Sequence, residues 1–321
     1  MNKPKIFITR KWPDAIEAKL KQRYDVTLNL ADRPLSAEEF KTALQEYDAV
    51  CPTVCDSFPA EVLNVVNKRC KILANFGVGF NHINTPVAKQ QNIAITNTPD
   101  VLTHSTADIA MTLLLMSARR GAEGDRLVRN KQWQGWSPTH MLSSNVTGAT
   151  LGLIGFGRIA QAMARKAHHG FDMNILYFKP SPAEEYVIDD LQATRCETIE
   201  ELLQKADFVS LHCPGGDATR HLINADRLNY MQPSAHLINT ARGDVIDTQA
   251  LINALKNKQI AGAGLDVYEA EPNVPDELLA LDNVSLLPHL GSATLATRIA
   301  MGEKVLSNLD AHFSGKPLPN E

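Results

Sequence analysis

GLIGFGRIA, residues 152–160, is the stretch on which the fold turns. It closes an apolar run that starts at Thr150 and leads into residues 158–167, whose apolar spacing is helical, so it joins a strand to a helix. Gly155, Gly157 and Ala160 fill the G-x-G-x-x-G/A pattern in that context. Gly155 permits the tight turn, Gly157 lets backbone approach a pyrophosphate, and Ala160 keeps helix and strand close. The helix start adds unpaired N–H groups and the positive end of its dipole. A lone glycine triplet also fits an ordinary strand-to-helix turn, but the strand-like residues 174–178 that follow favour dinucleotide binding.

Outward from this turn the same alternation repeats. Strand-like runs at 150–154, 174–178, 208–212, 235–239 and 261–266 are separated by helical segments such as 158–167, 198–206 and 248–256. Upstream, residues 5–9, 25–28, 49–52, 71–74 and 93–96 read as strands, and 14–23 and 36–47 as helices. Strands separated by helices mean βαβ units, so the expected fold is α/β with two doubly wound parallel-sheet domains. HSTADIAMTLLLMSARR, residues 104–120, reads as one helix buried on several sides, with Ser105 or a nearby polar residue as its cap. QWQGWSPTHMLSSN after it reads as a loop.

The bulk numbers narrow the function classes. At 321 residues, 44% hydrophobic and 21% charged, the chain has the make-up of a globular protein of two domains. A formal net charge of -4 with scattered basic residues gives no pull toward nucleic acid or anionic membrane. No apolar run approaches the ~18 residues of a membrane span, and MNKPKIFITR has no apolar signal region, so a cytoplasmic protein is expected. The five cysteines form no C-x-x-C pair and suit reduced thiols. His168 and His169 lack a partner at metal-ligand spacing, and no metal is expected.

An acid that reads a ribose 2′-hydroxyl belongs about 20 residues beyond the glycines, at the end of the next strand. In ILYFKPSP, residues 175–182, that place holds Lys179, 22 residues after Gly157. Asp172 precedes the strand and Asp189 and Asp190 lie too far beyond it. A cation there attracts a 2′-phosphate, and Ser181 adds a hydroxyl donor, so NADP(H) is the expected cofactor, with NAD(H) as the second choice. The bland alternative is a surface lysine indifferent to the cofactor.

INTARGDVID, GAGLDVYEAEPN and LLPHLGS stand at strand ends, where open α/β sheets bind ligands, and carry Arg242, Glu271 and His289. Singly, these read as a surface arginine, a solvated loop acid and a satisfied histidine. Taken with NFGVGFNHI (75–83), the GFGRIA turn and PHLGSAT (288–294), they come in the order and spacing of the D-isomer-specific 2-hydroxyacid dehydrogenases, which the sequence resembles over nearly its whole length. ARRGAEGDRLVRNKQWQGWSP and FDMNILYF look most like glyoxylate/hydroxypyruvate reductases and glycerate dehydrogenases. The chain departs from NAD-using members at Lys179, and it has Ala160 where most carry glycine.

The resemblance implies a Rossmann cofactor domain over 100–288 and a flavodoxin-like substrate domain made of 1–99 and 289–321, with an active-site cleft between them. It implies a catalytic trio. His289 would be the general acid, Glu271 would favour its charged form and orient it, and Arg242 would hold a substrate carboxylate through paired N–H donors. Implied cofactor contacts are Phe156, Arg158 and Ile159 in the turn, Thr106 on a phosphate, Cys213, Pro214, Thr240 and Ala241, and Asp266 on the nicotinamide carboxamide. Val78 and Gly79 would complete the carboxylate site, with Val54 and Trp136 lining the pocket. The segment around Trp136 reaches a partner subunit in reductase relatives, which implies a homodimer, although a tryptophan packed in its own chain reads as well. The implied reaction is reduction of glyoxylate and hydroxypyruvate to glycolate and D-glycerate. The alternatives are a dehydrogenase for D-lactate or a bulkier 2-hydroxy acid, and a non-catalytic NAD(P)-sensing interaction protein.

Overall fold

The computed structural model describes residues 3–320, so Met1 and Glu321, the outer ends of the expected substrate domain, lie outside the described residues. The chain divides into two compact units, one running to Leu102 and resuming at Ala293, the other Thr103–Ser292. His289 therefore belongs to the second unit.

In the first unit β1 (Lys5–Ile8), α1 (Asp14–Arg23), β2 (Asp25–Leu28), α2 (Ala37–Glu46), β3 (Ala49–Cys51), α3 (Ala60–Leu63), β4 (Ile72–Ala74), α4 (Thr85–Gln90) and β5 (Ala94–Thr96) follow in order. The strands pair in parallel in the order β2-β1-β3-β4-β5, the flavodoxin-like arrangement, whose order reverses between β1 and β3. β3 and β4 are buried at every residue, as parallel strands covered on both faces must be. Local chemistry sets the helix starts. Ser36 and Glu39 form a reciprocal capping box on α2, and the Asn84 side chain accepts from Val87 N on α4.

The second unit holds α5 (Thr103–Ala118), α6 (Gly121–Arg129), β6 (Thr150–Ile154), α7 (Arg158–Phe171), β7 (Asn174–Phe178), α8 (Glu185–Leu191), β8 (Thr194–Arg195), α9 (Ile199–Lys205) and β9 (Phe208–Leu211). It continues with α10 (Ala225–Leu228), β10 (His236–Asn239), α11 (Thr248–Lys256), β11 (Gly262–Leu265), α12 (Asp276–Leu279) and β12 (Val284–Leu286). All pairings are parallel, in the order β12-β11-β10-β9-β6-β7-β8. This is the Rossmann order with one added edge strand, and its switch point lies between β6 and β9. β7 shows how the sheet separates two layers: Ile175 and Tyr177 pack into one apolar cluster, Leu176 and Phe178 against the other.

Two of the differences from the sequence expectation lie in long helices. The helix expected over 104–120 starts one residue earlier, with Ser105 inside it, and ends at Ala118. Arg120 then adopts a left-handed backbone (φ 53°) and a new helix, α6, begins. The second is α13 (Leu295–Phe313), which the expectations did not include. Thr294 caps it, and Met301, Val305 and Leu309 recur at helical spacing on a buried face that meets α1 and β4 of the first unit. Among the described residues no helix is long and apolar enough to cross a membrane.

Candidate active site

The glycine-rich turn has the shape its sequence requires. Gly155 sits at φ 85°, and a Cβ there would lie 2.7 Å from Cys213 N and from the His212 carbonyl carbon, so no side chain fits where the turn crosses the end of β9. Gly157 is the N-cap of α7 and supplies no side-chain hydrogen bond, while the space around its would-be Cβ is open to 4 Å. The first amides of a 14-residue helix are thus left for an external acceptor. Ala160 is fully buried, and Phe156 stacks on Tyr177 at 4.3 Å between ring centroids, which ties the turn to β7. At the end of β10 the buried Thr240 hydroxyl oxygen has no hydrogen-bond partner. An amide cluster, an open glycine and a buried hydroxyl awaiting a partner fit a nicotinamide dinucleotide.

Lys179 follows β7 directly and is half-buried; Ser181 is exposed. Ala183 N donates to the Tyr177 hydroxyl at 3.3 Å, so the loop that carries both is pinned back to the strand it leaves.

Arg242, Glu271 and His289 all stand at the carboxyl ends of β10, β11 and β12 in the second unit. His289 Nδ1 and Glu271 Oε2 are 2.8 Å apart. Burial pushes the Glu271 carboxyl up, but its bond to His289, the His289 charge, the Tyr268 N–H and the Arg242 charge together hold it below its ordinary value. Tyr268 N donates to Glu271 Oε1 at 3.0 Å, and the Tyr268 hydroxyl donates to Leu287 O at 2.8 Å, which fastens the Glu271 loop to the strand that leads to His289. One residue further, Glu269 gathers His221 Nε2 at 2.8 Å, Arg220 Nη2 at 3.0 Å and the Thr248 hydroxyl at 3.1 Å.

Asn239 and Gly243 hold Arg242. The Asn239 side chain donates to Arg242 O and accepts from Ala241 N, both at 2.9 Å, and Arg242 Nη1 donates to Ala241 O at 2.7 Å. A Cβ on Gly243 would fall 1.9 Å from the Tyr268 carbonyl carbon, so only glycine lets the Arg242 loop lie against the Glu271 loop.

Asp266 and Thr106 have structural engagements that their expected cofactor roles did not foresee. The buried Asp266 carboxylate accepts from Leu290 N at 2.6 Å and Gly291 N at 2.8 Å, and its carbonyl accepts from His289 N at 3.0 Å. Burial raises its pKa, against the pull of those two amides. The Thr106 hydroxyl donates to Gly291 O at 3.1 Å. Both therefore brace the turn that presents His289. Their motif neighbours mark them in the sequence, but the brace needs contacts across 24 and 185 residues.

The other expected residues stand on other elements. Val54 packs against Gly77, and Asn75 Nδ2 holds both Gly77 O and Gly79 O at 3.1 Å; Asn97 Nδ2 holds Val78 O at 2.9 Å, all within the first unit. Trp136 is 83% exposed in the segment after α6. Cys213 and Pro214 follow β9, against the Gly155 turn.

Comparison with known proteins adds an independent line. Residues 111–291 match the family described as D-isomer specific 2-hydroxyacid dehydrogenase, NAD binding domain. The chain is 42% identical over 321 residues, 99% of its length and 95% of the relative's, to a glyoxylate reductase of Thermococcus onnurineus. It superposes with a TM-score of 0.88 on an NADPH-dependent glyoxylate/hydroxypyruvate reductase of Sinorhizobium meliloti, solved with NADP and malonate, at 34% identity and 99% and 96% coverage. It superposes at 0.87 on a D-mandelate dehydrogenase of Rhodotorula graminis, at 29% identity and 100% and 97% coverage.

Proposed function

The chain belongs to the D-isomer specific 2-hydroxyacid dehydrogenases, and from that membership we propose that it reduces glyoxylate and hydroxypyruvate to glycolate and D-glycerate, with NADPH preferred over NADH. The observation that carries the reaction is the 2.8 Å His289–Glu271 pair beside Arg242. Lys179 at the end of β7 supports the preference for a 2′-phosphate.

A nicotinamide held at the β6–α7 turn would supply hydride to the carbonyl carbon of the substrate. The carbonyl oxygen then needs a proton, and because Nδ1 of His289 faces Glu271, Nε2 is the nitrogen that can deliver it. The Glu271 carboxylate fixes the ring plane and stands opposite the positive charge that the ring carries before transfer. Arg242, its backbone held by Asn239, presents a guanidinium suited to the planar carboxylate of a 2-oxo acid.

The segment after α6 also supports a homodimer. α6 has no buried residue, and Val128, Trp133, Trp136 and Leu142, close together in the chain, are each more than half exposed, as the side chains of an interaction surface would be. The five cysteines, none of them in a disulfide, suit a reducing cytoplasm.

Steady-state specificity constants for glyoxylate, hydroxypyruvate and pyruvate with each nucleotide test the proposal. Glyoxylate or hydroxypyruvate with NADPH should give the highest value. Consumption of neither nucleotide with either acid would end the enzymatic reading, and tight nucleotide binding without turnover would favour the sensing alternative.

A further inference from the structure

We propose that Arg195 is a second cationic arm for the cofactor's 2′-phosphate, closing on it from the opposite side of the loop that starts at Lys179. This rests on the reading that the Lys179 loop meets an NADP-type ribose. β8 is the edge strand of the second sheet, and its parallel register sets Arg195 beside Tyr177, at the same carboxyl edge from which Lys179 departs. The guanidinium reaches over that loop: Nη2 donates to Pro180 O, the carbonyl between Lys179 and Ser181, at 3.4 Å.

Arg195 is poorly served where it sits. The Pro180 contact and the Nη1 contact to Glu197 Oε1, at 3.5 Å, both lie at the long end of hydrogen bonding, and Glu197 is 75% exposed. Nε is buried and has no partner. A buried N–H without an acceptor is unfavourable, and two long contacts do little to offset it. A side-chain rotation toward Lys179 breaks only those two long hydrogen bonds and takes Nε out of its unsatisfied seat. There the guanidinium can meet two phosphate oxygens at once through charge-assisted bonds, which the single ammonium of Lys179 cannot do. The pair explains how a loop with only a lysine and a serine would discriminate a 2′-phosphate from a 2′-hydroxyl. The opposed structural reading is that Arg195 only clips Pro180 to the sheet edge.

Calorimetric titration of the full-length protein with NADP+, NAD+, 2′,5′-ADP and 5′-AMP separates these roles without turnover. Wild type, Arg195→Gln, Arg195→Lys and Lys179→Gln are compared, with thermal melts to verify that each is folded. Arg195→Gln should weaken NADP+ and 2′,5′-ADP by about tenfold to a hundredfold and leave NAD+ and 5′-AMP within about twofold, the usual worth of charged hydrogen bonds. Arg195→Lys should recover part of the loss. Equal weakening of all four ligands, or of none, overturns the proposal in favour of the clip. If Lys179→Gln shifts the NADP+/NAD+ ratio and Arg195→Gln does not, the parent reading stands and only this inference fails. If wild type binds both dinucleotides equally, the NADP reading fails and takes the inference with it.

Discussion

At the scale of single residues, the site depends on one imidazole held in one orientation. His289 has a left-handed backbone (φ 55°), a conformation costing about 1–3 kcal/mol that persists only where its surroundings impose it. The Asp266 carbonyl and carboxylate impose it here, through His289 N, Leu290 N and Gly291 N. His289→Ala should lower turnover by about 10²–10⁴-fold in steady-state assays, the usual worth of a general acid; a near-normal rate would assign the proton to another group. Glu271 sets a pH dependence. Its folded-state pKa is depressed, so its support of the imidazolium is present at neutral pH and is lost only as pH falls through that lowered value. Followed by difference infrared spectroscopy of wild type against Glu271→Gln, the Glu271 carboxyl should therefore stay ionised from neutral pH down to the ordinary carboxylate range and take up its proton only below it. Protonation already near neutrality would show that the carboxyl is not held low.

At the scale of elements, the β6–α7 turn offers two glycines with opposite reasons for being glycine. Gly155 combines φ 85° with backbone atoms 2.7 Å from its would-be Cβ, so Gly155→Ala should destabilise the cofactor-free protein by about 1–3 kcal/mol, read as a lower Tm. Gly157 has an ordinary φ of -83° and open space, so Gly157→Ala should leave that Tm unchanged and still weaken nucleotide binding, because the methyl group occupies ground meant for pyrophosphate. If both variants lose Tm alike, or Gly157→Ala binds nucleotide normally, the assignment of the turn is wrong. The turn itself was legible because strand, glycines and helix are contiguous. α13 was not, since nothing near residue 295 marks which sheet its apolar face will meet.

At the scale of the whole molecule, two buried histidines outside the catalytic trio contribute to acid stability. Burial pulls His212 and His236 down to about 4 from 6.5. Folded, they are neutral: His236 is bonded to Ser117 at 2.8 Å and Ser144 at 3.0 Å, and His212 to Ser210 at 3.0 Å. The unfolded chain takes up these protons first, so the contribution is fully present above pH 6.5 and is lost as pH falls from there toward about 4. Urea midpoints should fall between pH 7 and pH 5, less steeply in a folded His236→Gln variant, and a flat profile over that window would contradict the neutral, buried assignment.

The sequence by itself determined the alternation of strands and helices, the glycine turn and the chemistry offered at each strand end. Apolar period, glycine placement and residue type are properties of contiguous stretches, and steric limits on the backbone translate them directly into local structure. Tertiary structure alone decided which strand ends became neighbours. Parallel pairing brought Glu271 and His289, 18 residues apart in sequence, to 2.8 Å, and set Arg195 on the carbonyl of Pro180. It also turned Asp266 and Thr106 into braces for the His289 turn. Such contacts depend on register and on the path of the crossovers, which are fixed only when both faces of a sheet are buried together.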